Sequence, residues 1–438
     1  MKKVWLSLKK KSHSPVCIYI SLSIISIMIL FLCILFSHGE VISKWFFYDE
    51  ADTAMDFFHS IEYVKGRSPY VIFETLYPPL ANMLFYGIFH CIPMRISGQW
   101  TMSFVDSLEM RTTALDLRLF QSPMIIFLIF LMFCVVANVI VMQRSLNDSL
   151  NKTESDLVVF CMIFSYGILQ TVERGNIVLL VVPFTLLFIN GYDSKNKYIR
   201  ELSCISLAIA AGLKIYPAVL GILLLKEKNW KLTIRTIIYG IAAIFVPFLF
   251  FYEPFESVKI WIYQMNKFAG ANSEPWNGNG FINVLYRLKN YISFYMHIEL
   301  SDAFFTVIVS IIVLFMCIGM LKMGKKWERV LISTAIMSFL FNQGNYVFAF
   351  YCIPMICFLA EEKRVSKDNF IPFIIMLFLI LPLPLFDIRN ISYPRTVIVH
   401  LAYIFLLIWF IVIQIRNIKL WNKKKRKRSI LNKEGTIK

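Results

Sequence analysis

Residues 16–37 read VCIYISLSIISIMILFLCILFS, a run without a single charged side chain. About 18 or more apolar residues in a row suffice to cross the bilayer's hydrocarbon core as an α-helix. A helix satisfies its own backbone N–H and C=O groups, which lipid cannot do. The basic residues ahead of this run (Lys2, Lys3, Lys9 to Lys11) give it the look of a secretory leader. It is too long for one, however, and no small-residue cleavage site follows, so it reads as a retained first span.

The same pattern recurs along the chain. Residues 122–142, 232–252, 302–321 and 397–416 are further full-length spans, and 79–94, 157–171, 177–190, 330–341, 346–360 and 370–386 are shorter apolar runs. The run 202–225 is long enough for one span but is interrupted by Lys214 and Pro217. Together these segments predict about 11 to 13 helices by the length criterion. The 438 residues are 58% hydrophobic and 17% charged, with mean hydropathy +0.64; soluble domains are nearer half apolar and a quarter charged. The expected fold class is therefore all-α, a single polytopic transmembrane domain over 1–438. It leaves two sizeable loops, 38–78 and 253–300, a basic tail 417–438, and no room for a soluble catalytic domain.

The net charge of +17 suggests nucleic acid until its location is considered. Basic residues precede the first span, and the run Lys423 to Arg428 follows the last one. Such flanks mark the cytoplasmic side and meet anionic membrane lipids, so no nucleic-acid partner is expected. Both termini are read as cytoplasmic, and the plasma membrane as the location. The nine cysteines all lie in apolar segments without a C-x-x-C pair and read as small core residues. Histidines are scattered, and no phosphate-binding glycine loop is present.

Working inward from both termini by the basic-flank rule places Lys226–Lys231, Lys322–Arg329 and Lys363–Lys367 inside, and loops 38–78 and 253–300 outside. The middle admits two solutions. If 202–225 is one helix, Glu173–Asn176 faces the cytoplasm. If it is two half-helices meeting at Lys214–Pro217, that turn moves outside, and a crossing near 79–121 is added or lost.

The first outer loop carries four carboxylates in Tyr48-Asp49-Glu50-Ala51-Asp52-Thr53-Ala54-Met55-Asp56. From Asp52 the spacing is helical: Asp52, Asp56, His59 and Tyr63 share one face, and Ala54, Phe57, Phe58, Ile61 and Val64 form the other. This predicts an amphipathic helix lying along the membrane surface, ended near Gly66. Pro78-Pro79 then opens the second span. Acidic residues often do no more than solvate or cap the end of a span. The alternative is a carboxylate acting as general base at the interface. Glycosyl transfer uses such a group to take the acceptor hydroxyl's proton while oxocarbenium character develops on the donor sugar.

Asp52-Thr53-x-Met55-Asp56-Phe57-Phe58, Gly66-Arg67-Ser68-Pro69-Tyr70, Tyr77-Pro78-Pro79-Leu80, Glu173-Arg174-Gly175-Asn176-Ile177 and Gly212-Leu213-Lys214-Ile215-Tyr216-Pro217 occur in that order. In this the chain resembles the polyprenyl-phosphate-mannose-dependent mannosyltransferases of the GT-C superfamily, over roughly residues 45–290. The resemblance implies a lipid-phosphate-linked sugar donor used on the outer face and a catalytic carboxylate in the first outer loop. By position that role falls to Asp56 first, then Asp52.

Three other polar features interrupt apolar surroundings. Glu173 and Arg174 are either a mutual ion pair or, for Arg174, a donor-phosphate ligand, with Asn176 adding a sugar contact. Lys214 either snorkels to the interface or binds phosphate, with Tyr216 stacking nearby. In loop 253–300, Trp276 and Asn277 have sugar-binding chemistry, although Trp also marks interfaces and Asn-Gly is ordinary turn chemistry. The expected activity is transfer of a hexose, such as mannose, from a polyprenyl-phosphate donor to a glycolipid or polysaccharide acceptor. No metal is required, because the leaving phosphate already carries its charge; a divalent ion near Asp49, Glu50 and Asp52 is the alternative. Two rival readings are a polysaccharide polymerase or ligase, which would want an arginine-rich outer loop, and a secondary transporter, which would show an internal repeat.

Overall fold

The computed structural model describes residues 14–42, 53–93, 117–271, 281–299, 301–340, 344–383 and 394–435. Among them the chain is helical, with no strand. The helices are α1 (Pro15–Phe36), α2 (Met55–Val64), α3 (Pro79–Phe89), α4 (Gln121–Leu146), α5 (Lys152–Ile163), α6 (Tyr166–Arg174), α7 (Val178–Gly191) and α8 (Lys197–Leu213). After a 3₁₀ segment, Tyr216–Glu227, come α9 (Trp230–Phe245) with its 3₁₀ end Val246–Phe250, α10 (Pro254–Ala271), α11 (Phe281–Met296), α12 (Asp302–Leu321) and α13 (Lys326–Leu340). A second long 3₁₀ segment, Asn345–Tyr351, runs into α14 (Cys352–Glu361), followed by α15 (Phe370–Ile380) and α16 (Pro394–Gly435).

Among the described residues, Pro15–Phe36, Gln121–Leu146, Trp230–Phe250 and Ile398–Ile418 are long and apolar enough to cross a membrane. The pair α5 and α6, bent by 51°, makes a fifth candidate, and shorter apolar helices fill the bundle. The faces agree with a lipid surround. α1 exposes Ile25, Met28, Phe31 and Leu35 while burying Ser23 and Ser26. α4 exposes Leu128, Met132 and Phe133 while its Asn138 is buried, donating to the Cys134 and Leu179 carbonyls at 2.9 and 2.6 Å. Apolar faces this large are untenable in water, and polar groups turned inward to bond neighbouring helices are how membrane bundles are joined.

The bundle has two distinct ends. At one, asparagines cap helix starts: Asn151 accepts from Glu154 N–H at 3.0 Å, Asn196 from Tyr198 N–H at 2.9 Å and Asn229 from Leu232 N–H at 3.2 Å. The basic loops gather there too. Lys226 Nζ donates to the Leu321 carbonyl at 2.7 Å, Lys326 pairs with Asp193 at 2.8 Å, Lys325 with Glu362, and Arg416 with Asp368. The opposite end holds α2, the α6–α7 turn, the α8 break and the start of Asn345–Tyr351.

The amphipathic stretch of the first loop forms α2, but against the bundle rather than loose on a surface. Its apolar residues Phe57, Phe58, Ile61 and Val64 are fully buried. Phe57 packs at 5.0 and 5.2 Å (ring centroids) from Phe127 and Phe130 of α4. The run 202–225 is not one helix. α8 stops at Leu213, Lys214 is extended (φ −152°, ψ 123°), and the chain continues as 3₁₀. Pro217, with no N–H to give and a ring that clashes with a preceding helical turn, accounts for the break.

Candidate active site

The turn from α6 to α7 builds one wall. Glu173-Arg174-Gly175-Asn176 ends α6 with Gly175 in the left-handed region (φ +63°) and the Asn176 N–H returning to the Thr171 carbonyl at 3.0 Å, a Schellman-type stop. Glycine is needed here twice over. A side chain is strained at that φ, and a Cβ would stand 2.8 Å from both Phe57 Cβ and the Phe127 ring. The missing methyl is what lets α2 lie directly on the turn.

The start of α2 is fastened to the same turn. The Ala54 N–H donates to the Glu173 carbonyl at 2.7 Å and Thr53 Oγ1 to Glu173 Oε1 at 2.9 Å. Arg118, ahead of α4, donates to the Thr53 carbonyl at 2.9 Å. Glu173 and Arg174 therefore do not form a mutual ion pair. Glu173 anchors the backbone of α2, and Arg174 reaches Asp56, with Nη2 to Oδ1 at 2.8 Å and Nε to Oδ2 at 3.3 Å.

Asn176 completes the carboxylate's surroundings. Its Oδ1 accepts the Val178 N–H at 3.0 Å, so its amide hydrogens face Asp56 Oδ2 at 2.6 Å and the Tyr77 hydroxyl at 3.2 Å. Burial pushes the Asp56 carboxyl up. The Arg174 guanidinium by charge and hydrogen bond, then Asn176 and Lys214, outweigh it and hold the group below its ordinary range. Asp56 is therefore an anion, fixed in direction.

Lys214 arrives from the α8 break. Its ammonium lies 4.0 Å from the centroid of the Tyr77 ring and 5.5 Å from that of Tyr346. Among the described residues it makes no ion pair and no hydrogen bond, which leaves its three donors for a ligand. The expected stacking by Tyr216 is replaced by these two tyrosines; Tyr216 packs edge-on against Phe350 at 5.5 Å instead.

A cavity of about 390 Å³ joins these groups. Asp56, Asn176, Lys214 and Tyr216 line it, together with Tyr63, the segment Phe73 to Pro78, Met265 of α10 and Tyr346. A second cavity of about 390 Å³, between α8, Tyr216–Glu227 and α9, has no ionisable side chain in its lining. The ionisable side chains line the first.

Of the expected site residues, Asp56, Arg174, Asn176, Lys214 and Tyr216 are thus brought together. Asp52, Trp276 and Asn277, and the alternative metal ligands Asp49 and Glu50, lie outside the described residues. Loop 253–300 contributes α10 to the site end. Its Trp261 is structural, donating to the Leu76 carbonyl at 3.3 Å behind the cavity wall. Tyr77 and Tyr346 have roles that sequence reading did not assign. Tyr77 stood in the quoted Tyr-Pro-Pro motif, and Tyr346 in a polar turn between two apolar runs.

The helical, lipid-facing bundle is that of a polytopic membrane protein, with a carboxylate, a carboxamide and an ammonium lining a cavity at one end. The model of glycosyltransferase family 87 matches residues 113–343, more than half of the chain, and the protein belongs to that family. It is a glycosyltransferase. The match contains Arg174, Asn176, Lys214 and the helices α10 and α11; Asp56 and Tyr77 lie ahead of it. Comparison with curated proteins and with solved structures gave no match.

Proposed function

We propose that the enzyme transfers a hexose, with mannose the first candidate, from a polyprenyl-phosphate donor to a glycolipid or polysaccharide acceptor at the outer face of the plasma membrane. The observation that carries this reading is the pairing of a fixed anion, Asp56, with an ammonium, Lys214, that has no acceptor among the described residues, across one cavity. In the proposed reaction the acceptor hydroxyl attacks the anomeric carbon and gives its proton to Asp56. The bond from that carbon to the phosphate oxygen breaks, and the electron pair leaves on polyprenyl phosphate beside Lys214 and Arg174. A carboxylate held ionised by Arg174 is a weak base, but an oxocarbenium-like centre asks little of its nucleophile. With two cations to meet the negative charge that develops on the departing phosphate, no metal is obligatory in this scheme.

The basic loops sit at the end away from the cavity. Under the rule that basic loops stay inside, this supports cytoplasmic termini and an outward-facing site. Reconstitution with polyprenyl-phosphate hexose tests the reading. Wild type should release sugar to acceptor, and Asp56→Asn should lower kcat by about 10²- to 10⁴-fold, the usual worth of a general base. Full activity in the variant would remove Asp56 from the mechanism, and no turnover of such a donor by wild type would remove the reading.

A further inference from the structure

We propose that Tyr77 is a further substrate-contacting residue, whose hydroxyl donates a hydrogen bond to the leaving phosphate oxygen. This rests on the polyprenyl-phosphate reading above.

The hydroxyl accepts from Asn176 Nδ2 at 3.2 Å, and that same nitrogen donates to Asp56 at 2.6 Å. Tyr77 Oη is therefore next to the base. The face of its ring is taken by Lys214. Tyr77 thus stands between the group that would receive the proton and the cation that would meet the phosphate, where the breaking bond must lie. Among the described residues the hydroxyl's own hydrogen has no acceptor. Burial, followed by the Asp56 carboxylate and Tyr346, pushes its pKa well above the ordinary value. It keeps its proton at neutral pH and, while accepting from Asn176, still has that hydrogen to donate.

The backbone around Tyr77 is held to an unusual degree. Its carbonyl accepts from the Tyr70 hydroxyl at 2.9 Å and from Asn82 Nδ2 at 3.4 Å, and Asn82 also donates to Tyr70 at 3.0 Å. Tyr70 and Asn82 are fully buried. The Tyr77 N–H goes to Thr75 Oγ1 at 3.3 Å, and the preceding carbonyl of Leu76 takes the Trp261 indole N–H. Buried polar groups are costly to assemble, and this network is assembled even though it leaves Asn82 Oδ1 without a partner among the described residues. It fixes a single loop residue whose hydroxyl lies beside the Asp56–Asn176 pair and whose ring faces Lys214. A tyrosine serving only as an interface anchor would need no such support.

Tyr77→Phe removes the hydroxyl and keeps the ring over Lys214. A donor whose bond strengthens as charge develops on the leaving oxygen shows in kcat rather than KM. The expected loss in kcat is about 10- to 100-fold, the range for a hydrogen bond to a charged group, with donor KM and melting temperature near wild type. The acid limb of the pH profile should stay in place, because Arg174 and Asn176 still hold Asp56. Wild-type kcat in the variant, a loss confined to KM, or a displaced acid limb overturns the proposal. If the variant does not fold, 3-fluorotyrosine at position 77 supplies a stronger donor of nearly the same shape. It should raise kcat, and an unchanged kcat overturns the proposal. Failure of wild type to use the donor is a separate result and bears on the polyprenyl-phosphate reading instead.

Discussion

Arg174 spends its Nε and one Nη hydrogen on Asp56, and the consequence is a sign. A carboxyl whose folded pKa lies below its unfolded value of about 3.9 stabilises the fold above that value. The contribution disappears only as pH falls through the lower folded one. Docking of α2 on the α6–α7 turn should therefore outlast mild acid. Glu62, on the same helix, has the opposite sign. It is buried, and burial pushes its carboxyl up to about 7 against the pull of the Lys65 ammonium. Its ionisation opposes folding, with a cost that is absent below the unfolded pKa of about 4.3 and complete above 7. Glu62→Gln should raise the melting temperature at pH 8 and leave it unchanged at pH 4. Equal gains at both pH values would remove titration as the cause.

The contact between α2 and the α6–α7 turn shows what an element can hide in its sequence. The spacing of Asp56, Phe57, Phe58 and Ile61 specifies an amphipathic helix, but an apolar face reads the same whether it meets lipid or protein. The close approach at Gly175 is written in one residue whose φ no pattern announces. Gly175→Ala should lower both melting temperature and activity, since an alanine at that φ costs about 1–2 kcal/mol before it meets Phe57 and Phe127 at 2.8 Å. An unaffected variant would show that α2 can move aside freely. Long spans such as α1 and α4 were legible because length and composition alone decide them. The break at Lys214–Pro217 was legible as a question. The 3₁₀ geometry of Tyr216–Glu227 was not, because the same side chains serve an α-helix. Asp56, Arg174, Asn176 and Lys214 stood out as polar groups among apolar ones. Tyr77 and Tyr346 did not, because tyrosines at interfaces are commonplace.

On the scale of the molecule, the polar chemistry and the basic loops divide between the two ends of the bundle. In a cysteine-free background, cysteine at Glu74, beside the cavity, should react with a membrane-impermeant thiol reagent applied to intact cells. Cysteine at Lys195, between α7 and α8, should react only after permeabilisation. The reverse pattern would invert the enzyme in its membrane. The cavity itself draws on residues from Asp56 to Tyr346, nearly three hundred positions apart, and this bears on how the protein is made. When the ribosome has finished α2, the Asp56 carboxylate still lacks Arg174, and Lys214 waits longer still for Tyr346. No early insertion intermediate can carry the assembled site. On the proposed site, transferase activity thus reports membrane insertion at least as far as the start of α14.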